Sequence, residues 1–592
     1  MNSDASPGRA AEVLRGIAGS PGVAVGRAVV VGAQKVVHRH RFVAPGEVAA
    51  EIARYAEAVE RAQQDLREMA TLVGDRRAET SILEAYVLMV ADETLAESVR
   101  VQIETDRRCV EWAVANAIEV IANRLAAVDD PYLRERSHDV EFVGDRLLRA
   151  LGNDASGGAL PALSGPSIII ARDLSPADTA AMVDAPVVGF VTEMGTRTSH
   201  TSIMARALEI PAVVGVNDVL RRISTGDTVI VDGLRGTVVV RPTPEQLDEA
   251  RDRADRHSAL AKHLQGSRHR TSCTKDGVPV TLRANVELPA EAILARDQGA
   301  EGIGLYRTEF LYIDRASPPT EDQQFEIFRA VVEAMRPKPV VLRTFDIGGD
   351  KFASTFQVPP EMNPMLGLRA VRLALSRPDV FLAHLRAMVR ASAYGNVKIM
   401  IPMVASLSEL RHVRALLAEA HADVRDRGLP CADEIPLGVM IEVPSAAVMV
   451  DLFAQEAAFL SLGTNDLIQY TLAVDRTSRS LAYLASPFDP SILRLIAGVL
   501  RAGEEWDCPV SICGAMASDP LAAMLLLGLG VRDFSMEAAA IPEIKESLSR
   551  VTLGDAETTA AEAMRLHTAE EVEHCVAASF APLLYDLLTG EH

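Results

Sequence analysis

From residue 278 onward the chain repeats one pattern eight times: a short buried-type run, then a stretch with helical spacing. The runs are VTLRANV (280–286), GIGLY (302–306), VVLRTF (340–345), VKIMIPMV (397–404), PLGVMIEV (436–443), FLSLGT (459–464), PVSIC (509–513) and VRDFSM (531–536). Strands this apolar need cover on both faces, which is the habit of parallel sheets with helices outside. An open doubly wound sheet has the same periodicity, but eight units favour closure. The prediction for 278–592 is a TIM-type (β/α)8 barrel.

The preceding residues read differently. Residues 1–15 are polar and small, and are expected to be mobile. Gly and Pro punctuation from Gly16 leads into an alternating strand, and further strands are expected at 167–171, 186–192, 212–216, 228–233 and 236–242. Together 16–45 and 152–242 make a compact α/β domain. Between its first strand and the rest lies 46–151, nearly free of proline and apolar at helical spacing, the pattern of an inserted helical bundle. Charged residues 243–277 read as a linker helix. The predicted class is therefore multidomain α/β.

Composition excludes some roles. The chain of 592 residues carries 81 acidic and 60 basic side chains, a formal charge of −21. So acidic a surface repels phosphate backbones, which disfavours nucleic-acid binding. Six cysteines without paired spacing make no disulfide framework. Neither a signal peptide nor a long apolar run is visible, so no membrane insertion is expected and the cytoplasm is the default compartment.

In a barrel of this kind the C-terminal strand ends carry the chemistry. Here they carry Tyr306-Arg307-Thr308-Glu309, Arg343 followed by Asp346-Ile347-Gly348-Gly349-Asp350-Lys351, then Glu442, Gly463-Thr464-Asn465-Asp466 and Cys513-Gly514. Arg369 and Arg476 follow nearby loops. Four guanidinium forks suit a ligand with both phosphate and carboxylate. Glu442 and Asp466 are hard oxygen ligands of the kind Mg²⁺ takes. A lone strand-end arginine is commonly an ion-pair partner; four with two carboxylates at one mouth point to phosphoryl transfer. Cys513 is either a small core residue or a proton donor.

A second centre lies in the α/β domain. The strand 186–192 runs into Gly195-Thr196-Arg197-Thr198-Ser199-His200 and then a helix-like stretch. That setting puts His200 near a helix N-terminus, where an added anion is favoured. Covalent catalysis through the imidazole follows as a possibility.

These motifs closely resemble the Enzyme I family of the bacterial phosphoenolpyruvate:sugar phosphotransferase system, over about residues 14–575. The resemblance rests on SPGVAVGRA (20–28), GTRTSHTSIMARALEIPAVVG (195–215), GIGLYRTEFLY (302–312), RTFDIGGDK (343–351), NPMLGLRAVR (363–372), GTNDLIQYTLAVDR (463–476) and SICG (511–514). It implies transfer of phosphoryl from phosphoenolpyruvate to His200 and then to a histidine of the carrier protein HPr, releasing pyruvate. It implies that Arg307 and Arg343 bind phosphate, and that Arg369, Asn465 and Arg476 contact the substrate. Glu442 and Asp466 match the Mg²⁺ ligands, Cys513 the proton donor to the enolate, and Thr179 a threonine against the histidine ring. The helical insertion matches the HPr-binding domain. Family members form a homodimer through the barrel and swing the histidine domain between barrel and carrier.

Two departures stand out. The family commonly has Glu after Cys-Gly, where this chain has Ala515, and Gly-Gly where it has Gly195-Thr196. Activity is expected to be retained, at a reduced rate. The rivals are a phosphorylation-state regulator with weak or no turnover, a nitrogen-type paralogue, and an ATP-dependent dikinase or synthase. The last needs a nucleotide-grasping domain for which 1–166 offers no glycine-rich loop. The short stretch 1–15 favours the sugar-type branch over the nitrogen type.

Overall fold

The computed structural model describes residues 11–31, 40–73, 87, 89–126, 140, 143–144, 146–152, 163, 165–172, 174, 185–195, 205, 210–312, 317–348, 361–475 and 481–589. The chain divides into two compact units, 1–258 and 259–592.

The first unit holds an eight-stranded mixed sheet. Its strands are β1 (Glu12–Arg15), β2 (Ile17–Ser20), β3 (Val23–Val31), β4 (Ser167–Ala171), β5 (Val187–Thr192), β6 (Ala212–Val214), β7 (Thr228–Asp232) and β8 (Thr237–Val240), in the order β1-β8-β7-β3-β4-β5-β6-β2. β3, β4, β5 and β6 run parallel, and every strand of that central run is rich in Val and Ile. The helical segment enters between β3 and β4. Three strands precede it rather than one, because β1 and β2 are four-residue edges too short to show alternation. Glu12–Arg15 pairs with Thr237–Val240, so the mobility expected across 1–15 does not hold for that strand.

The helices α1 (Val48–Val73), α2 (Glu93–Glu104) and α3 (Val110–Ala126) pack an apolar core of their own, centred on Leu66, Val99, Val114 and Leu147. Buried Glu51 ties the helices together. It accepts from Arg41 and Arg54 at 3.0 Å and from the backbone N–H of Val110, the first residue of α3, at 2.9 Å. An acid at that helix start is favoured by the free N–H groups and the dipole.

The second unit contains the closed barrel. Its strands are β9 (Thr281–Val286), β10 (Ile303–Tyr306), β11 (Val340–Arg343), β12 (Val397–Ile401), β13 (Leu437–Ile441), β14 (Leu460–Leu462), β15 (Val510–Ile512) and β16 (Asp533–Glu537). All pair in parallel, and β16 closes on β9. Side chains alternate along each strand. Ile303, Leu342, Ile399, Val439, Leu462 and Ile512 lie in the large core that also takes in the helices. Leu305, Val341, Met400 and Met440 join Phe459 and Cys513 in a separate cluster, the filling of the barrel. That alternation decides which residues reach the site.

Candidate functional site

Two residues past Leu305, Val341 and Met440, the alternation brings Arg307, Arg343 and Glu442 to the C-terminal strand ends. Arg343 is almost fully buried. Its Nη2 donates to Glu309 Oε1 at 2.5 Å, and its Nη1 lies 3.4 Å from Asp346 Oδ2. Glu309 also accepts the Asp346 N–H at 2.9 Å, which fixes the loop after β11. Arg307 is half-exposed and paired with Glu287.

Arg369 is 1% exposed, so its guanidinium is not an open clamp. Asp346 takes Arg369 Nη2 through both oxygens, at 2.8 and 2.9 Å, and Nε at 3.2 Å. Tyr470 Oη accepts from Nη1 at 3.1 Å and donates to Met365 O at 2.5 Å. Asp346 thus fixes two cations at once. Such bidentate pairs set geometry as well as charge.

Helix α4 (Thr464–Thr471) begins at the end of β14. Its first turn carries Asn465 and Asp466. Asn465 Oδ1 accepts the Ala515 N–H at 2.9 Å, which joins the ends of β14 and β15. Gly514 lies so close to this turn that a Cβ there would fall 1.6 Å from Thr464 Oγ1. Asp466 is 8% exposed, and its Oδ1 has no hydrogen-bond partner. Glu442, fully buried, accepts the Met403 N–H at 2.6 Å. Burial, with Asp466 and Asp346 nearby, pushes its carboxyl up to about 8.

Four buried carboxylates, Glu309, Asp346, Glu442 and Asp466, face two buried guanidiniums, Arg343 and Arg369. Arg343 balances Glu442 in part, and Arg369 feels both Asp346 and Asp466. The excess is negative, and two of its oxygens, Glu309 Oε2 and Asp466 Oδ1, have no hydrogen-bond partner. This donor set fits a divalent cation held by Glu442 and Asp466. Among the described residues no third His, Cys, Asp or Glu joins them, which leaves positions for water and substrate oxygens, as Mg²⁺ prefers.

Cys513 is a buried residue of the barrel filling that also lies within the field of the site's charges: Glu442, Arg343 and Arg307 all act on its thiol. Ser461 Oγ donates to Sγ at 3.3 Å. Burial pushes the thiol up to about 11, so at neutral pH it holds its proton. Asn285 Nδ2 donates to the Cys513 carbonyl at 3.3 Å, and Asn285 Oδ1 accepts from Ser535 Oγ at 2.6 Å.

The structure thus brings together Arg307, Arg343, Arg369, Asn465, Glu442, Asp466 and Cys513. Arg476, Thr179 and His200 lie outside the described residues. The turn that leads toward His200 is described as far as Gly195. Met194 O accepts from Thr192 Oγ1 at 2.6 Å and from the Gly215 N–H at 3.3 Å, and Gly195 has φ +116°, which suits glycine.

Glu309, Asp346 and Tyr470 were not assigned from sequence. Glu309 and Asp346 stand inside the same motifs as Arg307 and Arg343. Tyr470 follows Asp466 by four residues, one helical turn, and that spacing is the signal for it. Ala515 is exposed and supplies only its backbone N–H to Asn465. Ala515→Glu keeps that bond, so kcat/KM is expected to change by no more than about threefold, in either direction, by steady-state assay.

Three regions match known families: residues 15–136 the PEP-utilising enzyme, N-terminal family; 163–236 the PEP-utilising enzyme, mobile domain; and 261–553 the PEP-utilising enzyme, PEP-binding domain. The chain is 42% identical over 573 residues to the phosphoenolpyruvate-protein phosphotransferase of Bacillus sp. (strain S), covering 96% of this chain and 98% of that one. The protein of the same name from Geobacillus stearothermophilus gives the same identity and coverage. That from Staphylococcus aureus is 39% identical, covering 95% of this chain and 98% of its own. Among the described residues no helix is long and apolar enough to cross a membrane.

Proposed function

The chain belongs to the phosphoenolpyruvate-protein phosphotransferase family, and from that premise we propose how its residues divide the work. It is an enzyme that moves the phosphoryl group of phosphoenolpyruvate to protein. Arg307 and Arg343 bind the phosphate, and Arg369, with Asn465 and Arg476, orients the substrate. Glu442 and Asp466 would hold Mg²⁺, which would supply Lewis-acid stabilisation of the negative charge that develops on the substrate. Thr179 steadies the ring of His200.

A ring nitrogen of His200 attacks phosphorus; the P–N bond forms as the bond from phosphorus to the enol oxygen breaks. The electron pair stays on that oxygen as enolate. Cys513 gives its proton to the methylene carbon, pyruvate leaves, and the thiolate regains a proton from solvent. Phospho-His200 then passes the group to a histidine of HPr, docked on the helical segment 46–151. The working form is a homodimer through the barrel, in the cytoplasm. The observation that supports the reading most is the pairing of an anion-binding arginine set with an under-neutralised carboxylate pair at one end of the barrel.

Isotope exchange between labelled pyruvate and phosphoenolpyruvate tests this reading without any carrier. The parent is expected to exchange and His200→Ala to show none. Cys513→Ala is expected to lose about 10²- to 10⁴-fold, the usual contribution of a positioned proton donor. Exchange by His200→Ala at the parental rate would remove the histidine from the mechanism.

A further inference from the structure

The opposite end of the barrel holds a second set of underused charges. A cavity of about 900 Å³ opens there, lined by the first residues of several strands. Its volume is in the range of small-molecule sites. The N-terminal face of such a barrel ordinarily serves stability rather than binding, so the polar groups at this end need an account of their own.

Inside the cavity, Arg283 of β9 pairs with Asp533 of β16 at 2.7 Å. The pair leaves two buried atoms without partners, Arg283 Nε and Asp533 Oδ1. Lys398 of β12 faces the same space and makes no ion pair or hydrogen bond among the described residues. Its ammonium rests 5.3 Å from the ring centre of Phe459. Two half-buried cations therefore share one carboxylate, and burial, with the repulsion of Arg283 beside it, pulls the Lys398 ammonium down from its ordinary pKa. Phe459 and Val341 give the cavity an apolar floor, and Arg501 and Arg532 stand with Glu504, Asp507 and Glu557 around it, so the surplus positive charge is confined to the inner group of Arg283, Lys398 and Asp533.

From the unpaired Lys398 ammonium, Arg283 Nε and Asp533 Oδ1 around one cavity, we infer a second ligand site at the N-terminal end of the barrel. Its ligand is a small acid with a hydrogen-bond donor beside its anionic group: a hydroxy- or amino-carboxylate. The anion neutralises the surplus cation at Lys398 and takes the Arg283 Nε–H. The donor satisfies Asp533 Oδ1, which a plain anion leaves unpaired or repels. Leaving a buried polar atom unpaired is costly, and this selects for the bifunctional ligand. None of these residues belongs to the catalytic mouth, so the inference stands apart from the reading of that mouth.

Calorimetric titration of the full-length protein with L-malate and L-serine tests the site. Saturating phosphoenolpyruvate is kept present so that the mouth is occupied. At least one of the two acids is expected to bind saturably at one site per chain. Succinate, which lacks malate's hydroxyl, is expected to bind more weakly than malate wherever malate binds. Lys398→Met keeps the stem over Phe459 and is expected to weaken binding at least tenfold while turnover stays at the parental rate. Ala497→Trp fills the cavity from a neighbouring helix without altering its charges, and is expected to block binding as well. Thermal melting of both variants checks folding. Absence of saturable binding by either acid overturns the proposal. So does binding that persists at parental strength in both variants.

Discussion

Replacing Asp346 by Asn is expected to lower kcat/KM for phosphoenolpyruvate by about 10²- to 10³-fold, in line with the loss on breaking a buried ion pair. The carboxylate is 2% exposed and serves two guanidiniums. It closes on Arg369 with both oxygens and lies 3.4 Å from Arg343. An amide of the same shape keeps one acceptor and turns its NH₂ toward a cation. Arg369 then keeps its charge without its counter-ion, and the guanidinium plane loses one of its two fixed edges. Asp346 touches no substrate in this account; it is a positioning residue. A merely structural role would lower the melting temperature and leave the kinetics of the folded fraction unchanged. The expected result is a raised KM together with a lowered kcat per folded molecule, in addition to the fall in melting temperature that breaking a buried ion pair brings. Steady-state kinetics and calorimetry on the same preparation separate the two.

Glu442→Gln is expected to produce the second large loss, about 10³-fold in activity at fixed Mg²⁺, because one of the two proposed metal ligands becomes neutral. The pH dependence carries the sharper signature. Burial and two neighbouring carboxylates hold the Glu442 carboxyl up at about 8 in the metal-free site. Below that value the group is protonated, so binding a cation must expel a proton. Apparent metal affinity in the parent should therefore rise with pH and level off near 8. In Glu442→Gln that slope should flatten, while the parental thiol at Cys513, raised to about 11, contributes none in this range. Metal titrations of the free enzyme between pH 6 and 9 give the comparison.

The strands of the barrel were legible because each is a short apolar run bounded by helix-like sequence. All eight lie where the pattern puts them, with ends that differ by at most three residues. Arg343 and Glu442 were legible for the same reason, being the first charged residues along their runs. The capture of Arg369 was not. Its partner Asp346 is 23 residues earlier, a separation that no periodicity connects. The burial of four carboxylates around two arginines was likewise hidden, since sequence shows charge but not who shares it. β1 and β2 escaped because four-residue edges such as EVLR and IAGS carry too few alternations to register. By comparison of motifs, Ala515 reads as a lost carboxylate that slows the reaction without abolishing it. Its surroundings show that the backbone N–H at that position carries the structural bond, and any residue but proline supplies it.

The account's central claim is a phosphorylated His200 fed by phosphoenolpyruvate alone. It is tested most directly by incubating the purified full-length protein and its His200→Ala variant with radiolabelled phosphoenolpyruvate and Mg²⁺, without ATP. The account predicts acid-labile label on the parent only, released onto HPr when the carrier is added. Failure of the parent to take up label, or label retained by His200→Ala, would contradict it.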